Sequence, residues 1–89
     1  MFTIENNVTN EYVINKSRFI TKIYKVNDIN EVNNYLNIAK NEYKDATHIC
    51  YAYVINDNFK CFDDGEPSKT AGIPILNVLV KNNLNYILC

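Results

Sequence analysis

The ten residues 63–72, with the sequence DDGEPSKTAG, constrain what this chain of 89 residues can fold into more than any other segment. Gly65 tolerates a positive φ at no steric cost, so the acidic stretch is predicted to turn sharply. Ser68 or Thr70 is placed to cap a helix, and Pro74 is tolerated because it falls near that helix's first turn. The apolar residues 73–80 then supply the helix itself. The segment therefore predicts a strand, an acidic loop and a capped helix in succession.

Composition indicates one small folded domain. Apolar residues make up 47% of the chain and charged residues 21%, proportions that favour a globule over disorder. The formal net charge of −1 provides no overall attraction to nucleic acid or to anionic membranes. We find neither the paired basic and apolar regions of a signal peptide nor an apolar run of about 18 residues. A soluble, cytoplasmic protein with no membrane partner is expected.

The three cysteines fit a reducing compartment. Cys50 and Cys61 fall on two predicted strands joined by a short turn near Asp57, but not at directly opposite positions. A disulfide between them is therefore disfavoured, and buried thiols are expected instead. With one histidine and no paired-cysteine spacing, neither a zinc site nor any other cofactor is predicted.

Hydrophobic periodicity predicts the element order ββαββαβ. Asp28 is placed to cap the first helix, Glu31 completes a capping box, and Asn15 and Lys16 form a turn between the first two strands. This order indicates an α+β fold, a two-layer sandwich with both helices on one face of the sheet. The predicted elements are strands at 11–14, 17–26, 48–55, 59–62 and 84–89, and helices at 28–44 and 70–81.

Three segments of the chain resemble the YigZ/IMPACT family. They are residues 15–20 (NKSRFI), 46–53 (ATHICYAY) and 63–76, in the family's order, and the last is long and specific. Lys69 departs from the pattern, because the family usually has glycine there. Family members continue beyond a strand similar to residues 85–89 (NYILC) into an Arg-Tyr-Phe-Gly-Gly segment and a further glycine-rich loop and helix. The resemblance thus covers nearly the whole chain but only the front part of the family's first domain.

The resemblance implies both a fold and a role. The implied fold has a mixed sheet with a left-handed crossover, similar to a ribosomal-protein domain and to domain IV of a translocation factor. The implied role is a non-enzymatic binding module linked to translation, with RNA, the ribosome or a translation-regulatory protein as partner. The residues that match the family motif are Asp63, Asp64, Gly65, Glu66, Pro67, Ser68, Thr70, Ala71 and Gly72.

The acidic loop has two readings. Asp63, Asp64 and Glu66 offer carboxylate oxygens, which Mg²⁺ prefers as ligands, and a metal-dependent hydrolase is the alternative function this suggests. The same charges also suit a solvated turn that stabilises the following helix N-terminus. Spacing alone favours the solvated turn, so no firm metal site is predicted.

His48 also has two readings. It has the chemistry of a general base, with Asp63 or Asp64 as its orienting partner and Cys50 two residues away. A lone histidine at the start of a strand is more often a structural hydrogen-bonding group. The apolar surroundings of Cys50 raise a thiol pKa rather than lower it, so the structural reading is preferred.

A surface for RNA is predicted on the sheet. Tyr51 and Tyr53 point to one side of the central strand, and small residues point to the other, where a helix can pack closely. If no helix covers the tyrosine side, Tyr51 and Tyr53 with Arg18 and Lys22 would form an aromatic platform edged with cations, as single-stranded RNA requires. The alternative is that these tyrosines pack against one another or against a second domain.

The end of the chain suggests self-association. Residues 84–89 are still apolar where the sequence stops. An uncovered strand edge or apolar patch invites pairing with another chain. We expect the 89 residues alone to self-associate or to fold only marginally, and to gain stability when extended through the family's glycine-rich segment.

Overall fold

A computed structural model describes residues 2–65 and 71–89 of the protein. The predicted element order is confirmed. Within the described residues, no helix has both the length and the apolar character needed to span a membrane. The elements are β1 (Val8–Ile14), β2 (Ser17–Lys25), α1 (Ile29–Glu42), β3 (Tyr51–Ile55), β4 (Asn58–Phe62), α2 (Gly72–Lys81) and β5 (Ile87–Leu88).

The five strands form one sheet in the order β1-β2-β5-β3-β4. Every pairing between these strands is antiparallel, so the expectation of a mixed sheet is wrong. The last strand of the chain lies in the middle: Leu88 pairs with Tyr24 of β2 on one side and with Tyr53 of β3 on the other. The C-terminal strand is therefore a buried central strand, and the outer edges of the sheet belong to β1 and β4.

Local sequence signals account for most of the turns and caps. Asn15 and Lys16 both adopt positive φ, as a two-residue hairpin turn between β1 and β2 requires. Asp28 caps α1 as predicted, because its carboxylate accepts a hydrogen bond from the Glu31 N–H at 2.9 Å. The Glu31 carboxylate accepts from the backbone N–H and the side chain of Asn27, one residue earlier than a standard capping box.

The α+β class is confirmed, but the two helices lie on opposite faces of the sheet rather than on one. Val32 of α1 packs with Ile55 and Leu88, and Tyr51 and Tyr53 surround this group. On the other face, α2 packs against β3 and β5 through a second cluster. Because successive strand residues point to opposite faces, these clusters cannot share a face of β3. The second cluster consists of Ala52, Leu79 and Ile87, with Val54, Cys61, Ile75 and Cys89 packed around it.

Side-chain size explains which helix lies closer to the sheet. Ala52 of β3 and Gly72 of α2 are both buried and carry little or no side chain, so the backbones approach closely on that face. The prediction that a helix packs against the small-residue side of β3 is thus confirmed. On the other face, the rings of Tyr24 and Tyr35 stack at 4.2 Å between centroids and fill the space between β2 and α1.

Candidate functional site

The acidic loop is tied to the start of α2 by Asp63. Its Oδ1 accepts hydrogen bonds from the backbone N–H groups of Ala71 at 3.2 Å and Gly72 at 2.6 Å. The first N–H groups of a helix lack partners within the helix, and a carboxylate also complements the positive end of the helix dipole. The residue before α2, Ala71, provides no side-chain cap. Asp63 is therefore a cap of α2. The caps predicted from the sequence, Ser68 and Thr70, lie outside the described residues, as do Glu66, Pro67 and Lys69.

Asp64 joins the same loop to the segment that precedes β3. Its Oδ2 accepts a hydrogen bond from the Ile49 N–H at 2.7 Å, and its carbonyl oxygen accepts one from His48 Nδ1 at 2.9 Å. The Cys50 thiol donates to the carbonyl oxygen of Asp63 at 3.3 Å. Asp64 takes a positive φ of 50°, and Gly65 follows at 76°, so the backbone turns here as predicted.

These contacts bear on the catalytic reading of His48. A general base oriented by aspartate would place a carboxylate oxygen against the imidazole. Here the imidazole contacts the backbone carbonyl of Asp64, while the carboxylate of Asp64 holds a backbone N–H. These described contacts join the segment before β3 to the acidic loop.

The hypothesis of a metal site requires the carboxylates of Asp63, Asp64 and Glu66. Glu66 lies outside the described residues. Among residues 2–65 and 71–89, no group of three or more histidine, cysteine or acidic side chains could hold a metal ion. Asp63 and Asp64 each commit a carboxylate oxygen to backbone N–H groups.

Gly72 is required by the close approach of α2 to β4. A Cβ atom at this position would lie 2.8 Å from the Phe62 backbone nitrogen and 3.1 Å from the Cys61 Cβ. The first contact is with backbone, which cannot rotate away. Gly72 therefore allows α2 to pack closely against β4, although the sequence motif groups it with the acidic loop.

The first helix, α1, covers the face of the sheet on which the aromatic platform was predicted. Tyr51 and Tyr53 are half-buried and pack against the cluster built around Val32 of α1. The expectation that no helix covers the tyrosine side is therefore wrong, because α1 covers it.

The two cations of the predicted platform are held in ion pairs. Arg18 makes a two-pronged pair with Glu11, with nitrogen–oxygen distances of 2.7 and 3.0 Å. This hydrogen bonding lowers the pKa of Glu11 and raises the pKa of Arg18. Lys22 pairs with Glu42 of α1 at 2.6 Å, which raises the pKa of Lys22, and its ammonium lies 5.3 Å from the ring centroid of Tyr43.

A second group of cations and rings lies at the C-terminal end of α1. We call this cavity of about 310 Å³ the α1 cleft. Its aromatic part is formed by Tyr51 and Phe62, whose ring centroids are 5.3 Å apart. Phe62 is 42% exposed although it is a large apolar side chain. The residues that define the cleft are Lys40, Tyr43, Lys44, Tyr51, Phe62 and Asp64.

Sequence reasoning reached only part of this cleft. Tyr51 and Asp64 are among the site residues predicted from the sequence, whereas Lys40 and Lys44 are not. Phe62 was read as the last residue of a strand. The signal that could have found it is the aromatic pair across β3 and β4, where Tyr51 directly faces Phe62 in the register.

Asn85 was also missed. It is the one polar residue among those that are fully buried in the described part of the chain. Its side-chain oxygen accepts hydrogen bonds from the backbone N–H groups of Asn56 at 2.8 Å and Tyr86 at 2.9 Å. Asn85 thus fixes the β3–β4 turn to the start of β5, a structural role.

Comparisons with known proteins identify relatives of this sequence. Residues 15–89 match the family model of the Impact N-terminal domain. The IMPACT family member YvyE of Bacillus subtilis (strain 168) is 44% identical over 86 residues, which cover 93% of this chain and 40% of the relative. The IMPACT family member YigZ of Escherichia coli (strain K12) is 33% identical over 79 residues, which cover 83% of this chain and 39% of the relative.

A solved structure shows the same fold. The crystal structure of a hypothetical protein superposes with a TM-score of 0.90 at 31% sequence identity, over 94% of this chain and 43% of that chain. The sequence spans about two-fifths of the length of the curated relatives that it matches. With the family model matched over most of its residues, the chain belongs to the IMPACT family.

Proposed function

We propose that this domain is a cytoplasmic, non-enzymatic binding module that contacts single-stranded RNA in translation or its regulation, and that the α1 cleft is its contact site. The observation that carries the proposal is the half-exposed ring of Phe62 beside Tyr51 and near Lys40 and Lys44. Single-stranded RNA is bound by rings on which bases stack and by cations that meet phosphates.

The charges of the cleft favour a defined orientation of the RNA. Lys40 and Lys44 are exposed and form no ion pair with the described residues, so their ammonium groups are available to phosphate. The carboxylate of Asp64 also lines the cleft, and it would repel phosphate. The backbone of the strand would therefore run along α1, and a base would stack on Phe62.

A pair of phenylalanines on β4 provides a matched test. Phe62 lines the cleft, whereas Phe59 on the same strand is 64% exposed and lies outside it. We expect Phe62→Ala to weaken the binding of a fluorescent oligouridine by about 1–3 kcal/mol and Phe59→Ala to leave it unchanged. Fluorescence anisotropy titrations measure both. Equal affinities for the two variants would refute the cleft as the RNA site.

Salt dependence tests the role of the lysines. Each phosphate contact to single-stranded nucleic acid contributes about 0.7 to the slope of log K against log salt. Replacing both Lys40 and Lys44 by Ala should lower the slope by about 1.4, whereas Lys60→Ala on β4 should not. Tyr53→Ala is a poor probe, because Tyr53 packs in the core and its loss would test folding rather than binding.

Two rival functions make different predictions. A metal-dependent hydrolase that uses Asp63, Asp64 and Glu66 predicts a higher Tm in Mg²⁺ or Mn²⁺, and the RNA module does not. A module that binds only a translation-regulatory protein predicts a pull-down that nuclease treatment leaves unaffected. These experiments separate the three classes on the wild-type chain.

A further inference from the structure

The carboxylate of Asp64 is the one group of the α1 cleft that phosphate binding does not explain. Lys40 and Lys44 attract phosphate, whereas a carboxylate in the same cleft repels it. Asp64 would therefore weaken a site that recognised only the RNA backbone. A carboxylate that faces the edge of a base has the opposite effect, because it accepts hydrogen bonds from the N–H groups of the base. The charge of Asp64 thus favours a site that selects among bases.

The register of the sheet places Asp64 beside the rings on which a base would stack. Tyr51 faces Phe62 in the β3–β4 ladder. The same register continued by two residues brings Ile49 opposite Asp64, and the hydrogen bond of 2.7 Å between them agrees with that continuation. Two residues span about 7 Å along a strand, and side chains two residues apart share a face of the sheet. The edge of a base stacked on Phe62 can therefore reach the carboxylate.

One oxygen of Asp64 remains available to a ligand. Oδ2 accepts from the Ile49 N–H, and in the described part of the chain no other group donates to this carboxylate. The bond to Ile49 also holds the side chain in place before a ligand arrives, which lowers the entropy cost of binding. Since a carboxylate accepts hydrogen bonds and donates none, its best partner is a pair of adjacent N–H donors.

The four RNA bases differ in what they offer to a carboxylate. Guanine presents its N1–H and N2–H groups side by side on the Watson–Crick edge, so it can donate to both oxygens. Adenine and cytosine each present one amino group beside a ring nitrogen that accepts. Uracil presents a single N–H between two carbonyl oxygens, which the carboxylate repels. Because hydrogen bonds to an ionised acceptor are about twice as strong as neutral ones, guanine should be preferred most strongly over uracil.

The dimensions of the cleft limit this recognition to one nucleotide. Its volume of about 310 Å³ lies at the small end of the range of about 300–1,000 Å³ that is typical of pockets for small ligands. Phe62 is 42% exposed, whereas Tyr51 beside it is half-buried, so the cleft offers one main stacking surface. One ring and one carboxylate match a single unpaired base.

We propose that Asp64 determines the base specificity of the α1 cleft, and that its carboxylate accepts hydrogen bonds from N1–H and N2–H of one guanine that stacks on Phe62 in single-stranded RNA. This inference rests on the proposed function, because it names the base that the same site selects. Lys40 and Lys44 hold the phosphates on the α1 side, away from the carboxylate.

A series of oligonucleotides tests the proposal on the wild-type protein. The probes are a fluorescent oligouridine and the same oligomer with one central guanosine, inosine or 7-deazaguanosine, compared by anisotropy at one salt concentration. Guanosine should raise the affinity at least about tenfold over oligouridine. Inosine lacks the 2-amino group and should give an intermediate gain. 7-Deazaguanosine keeps the Watson–Crick edge and should bind as guanosine does.

A variant of Asp64 tests the residue itself. In Asp64→Asn, the amide oxygen can still accept from the Ile49 N–H, and the NH₂ group then faces the base, where it can donate to a uracil carbonyl. The variant should lose the preference for guanosine and bind oligouridine at least as tightly as the wild type. Asp57→Asn removes the same charge from an exposed turn and should retain the preference. Thermal melts check that both variants fold.

The outcomes separate this inference from the proposed function. If oligouridine binds and Phe62→Ala weakens it, but guanosine gives no gain, guanine recognition is overturned and the RNA site stands. A full guanosine preference in Asp64→Asn would also overturn it, as would loss of the preference with 7-deazaguanosine, which would place the contact on another edge of the base. If none of the oligomers binds, or if Phe62→Ala has no effect, the proposed function fails and this inference fails with it.

Discussion

Removing the carboxylate of Asp63 should uncouple the acidic loop from α2. In Asp63→Ala, the N–H groups of Ala71 and Gly72 lose their common acceptor. Loss of a helix cap costs about 1 kcal/mol, and Gly72 is buried, so its N–H is left poorly solvated at a further cost of about 1–2 kcal/mol. We expect the free energy of unfolding to fall by about 2–3 kcal/mol.

The measurement is urea denaturation together with a thermal melt. For a domain of this size, each kcal/mol shifts Tm by about 4–8 °C, so Asp63→Ala should melt roughly 10–20 °C lower than the wild type. Asp63→Asn retains an oxygen acceptor but loses the charge that faces the helix dipole. Its free energy of unfolding should therefore fall by about 1 kcal/mol. Asp57→Ala is the matched control, because it removes the same charge from an exposed turn.

The ordering of the variants is what tests the reasoning. Asp57→Ala should stay within about 0.5 kcal/mol of the wild type. If Asp63→Ala did the same, the carboxylate would not be capping α2. If Asp63→Asn were as damaging as Asp63→Ala, the charge rather than the acceptor would carry the stabilisation.

Three further predictions follow from the packing and the pKa values. Gly72→Ala should destabilise the protein by about 1–3 kcal/mol in urea, because its Cβ meets the Phe62 backbone, and wild-type stability would contradict this. Burial raises the pKa of Tyr24, so its ionisation at high pH favours the unfolded chain, and the free energy of unfolding should fall as the pH rises above about 10. In thermal melts between about pH 9 and 12, Tyr24→Phe should show a smaller decrease of Tm than the wild type. β1 is an outer strand with Val13 exposed, so self-association measured by sedimentation should weaken in Val13→Lys, and an unchanged mass would point to another surface.

Local features were predictable because their causes lie within a few residues of one another. The cap at Asp28 and the turn at Asn15 and Lys16 depend on side chains that act over three or four positions. Alternation along β3 separated Tyr51 and Tyr53 from Ala52 in the same way. These signals do not depend on how the chain folds back on itself.

The features that sequence reasoning missed depend on long-range contacts. Alternation shows that Tyr51 and Ala52 face opposite sides of the sheet, but it does not show which helix covers each side. Both sides are covered here, so a face read as an open platform is packed. A cap of α2 likewise comes from Asp63, which lies nine residues before Gly72, the first residue of the helix. No spacing rule for helix caps covers that distance.

The contacts of the acidic motif affect where a function should be sought. Asp63 satisfies the start of α2, Asp64 holds the segment before β3, and Gly72 permits close packing against β4. Each of these three residues therefore contributes to the stability of the fold, whether or not the loop binds a ligand. Phe62, Lys40 and Lys44 are different, because the ring of Phe62 stays 42% exposed and neither lysine forms an ion pair with the described residues. Substitutions in the motif should thus change stability first, whereas substitutions in the α1 cleft should change binding while leaving Tm nearly unaltered.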